Sequence, residues 1–294
     1  MTAAFLLGGC HCGRRPDGGL ERRTTISHID PSEPAPDEAG IPRQARGMWV
    51  WSTKGRLQDP HGTSSLLETV RMAGLTEVYL SVNESVLAAP GLPALVAALT
   101  ARGVRVEALS GNASWYTPEK LPAVLGWIDA VAAFNAKHPA KFAGVHLDIE
   151  PHQLPENRND HAFLPALAAT LGAARQHAAA AGLTTSADLP RFALDEQHGP
   201  LFAAAVQRPF VMLYELRDTS PEALVARSRQ VIEKTYAGAS PALAGRLVVG
   251  LRVEDYPSTL ETMLATLDRA HAATEPRFGG WAIHDEMRYR AGRR

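Results

Sequence analysis

The sequence predicts an α/β chain folded as a single (β/α)8 TIM barrel after a disordered N-terminal leader, and three observations carry that expectation. From residue 46 onward, short apolar runs alternate with longer amphipathic segments, the order that builds a parallel sheet with helical crossovers. The chain has 294 residues, 45% of them hydrophobic, and barrels of this kind commonly occupy about 250 residues as one domain. Polar and aromatic residues gather where the apolar runs end, as they do on the functional rim of a barrel.

Taken in order, the expected strands are 47–52, 77–82, 104–109, 142–149, 184–189, 210–214, 247–251 and 280–284. Helices are clearest at 121–137, 162–181, 221–236 and 258–273, where Ala and Leu recur at spacings of three and four. Thr117-Pro118 and Ser220-Pro221 each set a hydroxyl cap before a proline, which fits the first turn because no internal N–H donor is needed there. Gly103 and Gly182 stand where a helix stops before a strand. Eight strands with crossovers close into a barrel, with an open doubly wound sheet as the competing arrangement.

Residues 1–12 precede this pattern, 13–45 form a solvated linker rich in Pro, Gly and charge, and 46–294 form the barrel domain. The start through Leu7-Gly8-Gly9-Cys10 resembles a bacterial lipoprotein signal with Cys10 as the lipidated residue. It lacks a basic n-region and its apolar stretch is short, as in the remnant of a signal that begins upstream. The plainer alternative is a leader with an incidental Leu-Gly-Gly-Cys. The first reading makes the protein exported or cell-envelope, lipid-anchored through Cys10; the second leaves a cytoplasmic location open.

Both cysteines, Cys10 and Cys12, lie in that leader, so the barrel depends on neither disulfides nor a cysteine metal site. A formal net charge of -1 gives no basic field of the kind that draws a protein to nucleic acid. No apolar run approaches the roughly 20 residues that span a bilayer as a helix.

On a barrel the strand ends deliver the chemistry. The first offers Trp51 and Ser52, the second Asn83 and Glu84, the third Asn112 and Trp115, and the fourth His146, Asp148, Glu150 and His152. Asp188 follows from the fifth, Tyr214 and Glu215 from the sixth, Arg252 and Glu254 from the seventh, His284 and Asp285 from the eighth. The fourth strand says most. Its alternation places His146, Asp148 and Glu150 on one face and Val145, Leu147 and Ile149 on the other. Two carboxylates about 7 Å apart along a strand raise each other's pKa, and partial burial adds to the shift, so one of them can donate a proton near neutral pH.

The segment Phe142-Ala-Gly-Val-His-Leu-Asp-Ile-Glu150 resembles the fourth-strand signature of family-18 glycoside hydrolases, the chitinases and their relatives, written Asp-Gly-x-Asp-x-Asp-x-Glu. Gly144, Asp148 and Glu150 match it; Ala143 and His146 replace its first two aspartates. Met212-Leu-Tyr-Glu215 is similar to the family's Met-x-Tyr-Asp segment, with Tyr214 kept and Glu215 for Asp, and Gly279-Gly-Trp281 is similar to its eighth-strand segment.

The resemblance implies a hydrolase cleaving glycosidic bonds of a carbohydrate substrate without a cofactor or metal. Glu150 is then the general acid and base, and Asp148 assists by orienting the substrate's N-acetyl group, which attacks the anomeric carbon. Tyr214 donates to the acetamido oxygen, and Trp51, Trp115 and Trp281 serve as sugar-stacking platforms. His146, Asn83, Asn112, Glu215 and His284 complete the expected substrate-binding set. His146 in place of a carboxylate changes the charge balance at Asp148, either by hydrogen-bonding it or by packing alone.

Other readings stand beside this one. His146, Asp148, Glu150, His152 and His284 also make the kind of set that binds a divalent metal in a hydrolase or deacetylase. A non-catalytic carbohydrate-binding barrel would keep the same residues. The fourth-strand residues could form a buried polar network that holds loops, Tyr214 could be a packing residue, and Trp127 and Trp49 read as core.

Overall fold

The computed structural model describes residues 44–158, 160–216, 218–237, 246–271 and 274–292. The Leu7 to Cys10 segment, Cys12 and the linker up to residue 43 lie outside them.

The eight strands are β1 (Ala45–Val50), β2 (Glu77–Ser81), β3 (Arg105–Ser110), β4 (Gly144–Leu147), β5 (Thr184–Pro190), β6 (Arg208–Met212), β7 (Leu247–Arg252) and β8 (Phe278–His284). They run parallel in sequence order, and β8 pairs back onto β1, from Ala45 with Gly280 to Met48 with Ile283. That closure excludes the open doubly wound sheet. β1 begins at Ala45, two residues before the expected strand, so the barrel takes in the last residue of the expected linker. β4 is shorter than expected. The Asn135 side chain holds both the N–H and the carbonyl of Phe142 at 2.8 Å, and beyond Leu147 only the β3 side continues, with the Asp148 amide donating to the Ser110 carbonyl at 3.0 Å.

The crossovers carry α1 (Thr53–Gln58) and α2 (Gly62–Ala73) before β2, then α3 (Glu84–Leu87) and α4 (Leu92–Thr100) before β3. Single helices follow: α5 (Leu121–Lys137), α6 (Leu164–Ala180), α7 (Gly199–Ala205), α8 (Pro221–Thr235) and α9 (Leu260–His271), with α10 (Glu286–Ala291) after β8. Ser220 caps α8 by accepting from the Ala223 amide at 3.2 Å. Thr117 does not cap α5; it precedes a 3-10 turn, Pro118–Lys120, and a second proline, Pro122, lies in the first turn of the helix. Gly103 and Gly182 both adopt the left-handed conformation expected of helix-stop glycines.

Strand alternation divides the core. Outward residues such as Val145, Leu147 and Ile149 pack against the helices, while Trp49, Tyr79, Leu109 and Phe210 fill the lumen. Deeper in the lumen lies a buried ionic cluster. Arg208 bridges Glu77 at 2.7 Å and Glu107 at 3.1 Å, Arg105 reaches Glu107 at 3.0 Å, and the Tyr79 hydroxyl donates to Glu77 at 2.9 Å. Two cations against two carboxylates leave no net charge in a space where an unpaired ion would cost several kcal/mol. Burial pushes the Glu107 carboxyl up, but Arg105 and Arg208, with help from His146 and Ser186, bring it below its ordinary range.

Candidate active site

The site is built where β4 leaves the sheet. Gly144 is small because a Cβ there would lie 2.7 Å from the Thr184 carbonyl oxygen, and a Cβ at Gly111 would collide with the carbonyl of Asp148. The β3 loop therefore presses directly on the backbone that carries Asp148. Past Ile149, Pro151 turns the chain into a short 3-10 segment, Pro151–Gln153, with Glu150 at its N-cap.

Asp148 and Glu150 are both half-buried at this mouth. The Gln153 side-chain amide donates to Glu150 Oε2, and His152 Nε2 stands 3.6 Å from Oε1. A third carboxylate comes from β5. The last paired rung between β4 and β5 joins Leu147 to Ala187, and Asp148 and Asp188 are the residues that follow it on the two chains. Neighbouring strands lie about 4.8 Å apart. Asp188 is buried, and its Oδ2 accepts from Trp49 Nε1 at 2.9 Å and lies 2.8 Å from His146 Nε2.

Burial raises Asp148 well above the ordinary carboxylate range, and the charges of Asp188 and Glu150 push the same way. Burial and then Asp188 raise Glu150 to about 7, against a smaller lowering by the Gln153 hydrogen bond. Tyr214, two residues beyond β6, faces the same group: burial first, then Asp188, Asp148 and Glu150, lift its hydroxyl well above the ordinary phenol value, outweighing Arg252. The phenol thus stays protonated and available as a donor.

Of the other expected site residues, the structure brings several to this mouth. Trp51 is exposed and donates from Nε1 to His284 Nε2 at 3.2 Å, and the His284 ring lies 5.6 Å from that of Tyr214. Trp115 is half-buried and leans on Trp127, ring centroids 6.4 Å apart. Asn83 and Asn112 cap the turns after β2 and β3, accepting from Val86 N and Ser114 N through their side-chain oxygens.

Three residues are placed differently from the expectation. Trp281 lies on the outward face of β8, buried, its Nε1 donating to Asp268 on α9 at 3.0 Å, so it is no sugar platform. The reason is strand periodicity: Ala282 lines the lumen, and its neighbour must point away. His146 does face inward, but it is fully buried beneath Asp188 with partners on both ring nitrogens, so it cannot touch a substrate. Its partners are Ser186, Asp188 and Trp49; the hydrogen bond goes across to β5 and not along its own strand to Asp148. Glu215 has a left-handed backbone, φ 54, and its exposed side chain turns to Arg252 at 3.0 Å.

Asp188 and Trp49 are the members that a strand-by-strand reading undervalues. The sequence offers one signal for them: Asp188 sits at the rim position of its own strand, as Asp148 does on the fourth. Among the described residues, no group of three or more His, Cys, Asp or Glu side chains converges in a metal-holding arrangement.

No protein-family model matches the chain, and no curated protein matches it in sequence. Solved structures do share its barrel. A family-18 chitinase from Pseudoalteromonas aurantia is similar with a TM-score of 0.57 at 10% identity, covering 85% of this chain and 96% of its own. The glycoside hydrolase domain of PgaB (BpsB) from Bordetella bronchiseptica is similar with a TM-score of 0.55 at 12% identity, covering 84% and 95%. A chitinase from Chromobacterium violaceum is similar with a TM-score of 0.51 at 11% identity, covering 84% and 97%. The barrel expected from the alternating pattern is the fold found, and it is similar to the barrels of these chitinases at low sequence identity.

Proposed function

We propose that the protein is a glycoside hydrolase in which Glu150 is the general acid and base and Asp148 the assisting carboxylate. The observation that carries this reading is a half-buried Glu150, raised to about 7, beside a second carboxylate at the end of β4. In the first step the Glu150 carboxyl gives its proton to the glycosidic oxygen. The acetamido oxygen of the substrate attacks the anomeric carbon, and the bond to the leaving group breaks. In the second step the Glu150 carboxylate takes a proton from a water that attacks the same carbon and opens the cyclic intermediate.

Asp148 accepts from the acetamido N–H and balances the cation that forms, and Tyr214 donates to the acetamido oxygen. Trp51, flanked by His284, offers an exposed ring face for the apolar side of a pyranose, with Trp115 on the facing loop. The amide nitrogens of Asn83 and Asn112, at the ends of side chains already oriented by their caps, donate to sugar hydroxyls. With the barrel preceded by a linker, we read the chain as exported and anchored through a lipidated Cys10. Partition of the protein into a detergent phase, lost in Cys10→Ala, tests that part.

The experiment for the enzyme is hydrolysis of aryl glycosides and soluble polysaccharides, with and without N-acetyl groups, by wild type and Glu150→Gln with a chelator in parallel. Cleavage of acetamido substrates that disappears in the variant and ignores the chelator is the expected result. Loss of activity with the chelator would favour metal chemistry. Sugar binding without turnover by the wild type would favour a non-catalytic carbohydrate-binding barrel.

A further inference from the structure

We propose that His146 and Asp188 form a buried dyad that holds one proton between His146 Nε2 and Asp188 Oδ2, and that this dyad positions and balances Asp148. The proposal rests on the reading of Asp148 and Glu150 as the working pair, but its geometry is independent of it.

Glu107 is paired with two arginines and is an acceptor only, so the Ser186 hydroxyl, 2.5 Å from Glu107 Oε2, must donate to it. Ser186 Oγ can then only accept from His146 Nδ1, 2.7 Å away, which fixes a proton on Nδ1. That leaves Nε2 facing Asp188 Oδ2 at 2.8 Å, with the Trp49 Nε1–H shared between them at 3.1 Å from Nε2 and 2.9 Å from Oδ2. One indole N–H shared by two acceptors does not offset two lone pairs held that close, so a second proton lies between them.

The surroundings fit a positive or proton-sharing imidazole. From β3, Glu107 Oε2 lies 3.9 Å from Nδ1; from β2, Tyr79 stacks on the ring at 4.5 Å; from β6, Phe210 meets it edge-on at 4.7 Å, with Arg208 deeper in the lumen and paired to Glu77 and Glu107. From β1, Trp49 adds a neutral donor to Asp188. On the mouth side Asp188 faces Asp148, Glu150 and Tyr214.

The dyad as a whole carries no net charge. It can therefore stand beside Asp148 without adding a full third anion to the mouth. Among the described residues, the other Asp188 oxygen, Oδ1, is buried without a partner. Oδ1 is thus an acceptor left without a donor, and Asp188 acts on Asp148 from there through space. His146 and Asp188 are positioning residues that act through Asp148.

The test is nitrogen NMR of the histidines in the intact resting protein at pH 8, with Asp188→Asn and Trp49→Phe beside wild type. The expected result is a His146 whose Nε2 is protonated or strongly proton-sharing in wild type and in Trp49→Phe, and bears a free lone pair in Asp188→Asn. Trp49→Phe removes the indole N–H shared by Asp188 and His146 and leaves the two dyad atoms in place, so it supplies a folded comparison if Asp188→Asn unfolds. In the pH profile of kcat, Asp188→Asn should move the alkaline limb by less than about one unit, because the dyad loses its carboxylate end and its shared proton together and its net charge stays at zero. A neutral His146 with a lone pair on Nε2 in wild type would overturn the dyad even if hydrolysis is found. A proton-sharing Nε2 without any hydrolysis would leave the dyad standing and remove the enzymatic reading.

Discussion

His152 Nε2 stands 3.6 Å from Glu150 Oε1, yet it supplies no cation there, because burial and then the charge of His161 hold the His152 imidazole below its ordinary range. Glu150 is therefore raised by burial and by Asp188 without an opposing ion pair from its own loop. An acid in that setting is protonated below about 7 and can donate.

The pH dependence follows with its sign. Glu150 rises from an ordinary 4.5 to about 7 on folding, so its contribution to stability is fully present below 4.5 and is lost as the pH rises through 7. Glu150→Gln removes that dependence. Thermal unfolding should show the variant level with wild type at pH 4 and more stable at pH 8, by up to roughly 3 kcal/mol. Equal stability at both values would mean that Glu150 is not raised.

Tyr214→Phe keeps the ring and removes the donor. The expected effect is a drop in kcat of about 10- to 100-fold on acetamido substrates, with little change in the melting temperature. A variant with full kcat would reduce Tyr214 to a packing residue.

The two tryptophans separate binding from packing. Trp51→Ala should raise KM for oligosaccharides about tenfold and leave the melting temperature nearly unchanged, since the side chain is exposed. Trp281→Phe should leave KM alone and cost about 1 to 2 kcal/mol in chemical denaturation, through the lost bond to Asp268 and lost packing. The opposite pattern would place Trp281 at the sugar and Trp51 outside it.

Arg208 holds the lumen together. Arg208→Met leaves Glu77 and Glu107 short of their shared cation in a buried space, and denaturant unfolding should show a loss of about 3 to 5 kcal/mol. A loss under 1 kcal/mol would mean that Arg105 alone suffices.

Much of this architecture is legible along the chain. Apolar runs and turn residues mark all eight strands, and the alternation of β4 assigns Asp148 and Glu150 to the lumen face. The same period of two could have separated Trp281 from His284, since they are an odd number of residues apart. Depth is harder to read. His146 and Asp148 share a face two residues apart, but only the closed barrel shows that one lies sealed beneath Asp188 and the other reaches the mouth. Asp188 depends on the stagger between β4 and β5, which neither strand encodes alone. Thr117 fails as an α5 cap because the 3-10 turn and Pro122 intervene.

The central claim is that Glu150 supplies the proton to the leaving group, and leaving-group dependence tests it most directly. Single-turnover release of the aryl alcohol would be measured for wild type and Glu150→Ala over N-acetylated aryl glycosides whose phenols range from weakly to strongly acidic. The account predicts a loss of about 100- to 10,000-fold for the poor leaving groups, shrinking steadily as the phenol becomes acidic enough to depart without a proton. A loss of the same size for every leaving group would contradict it.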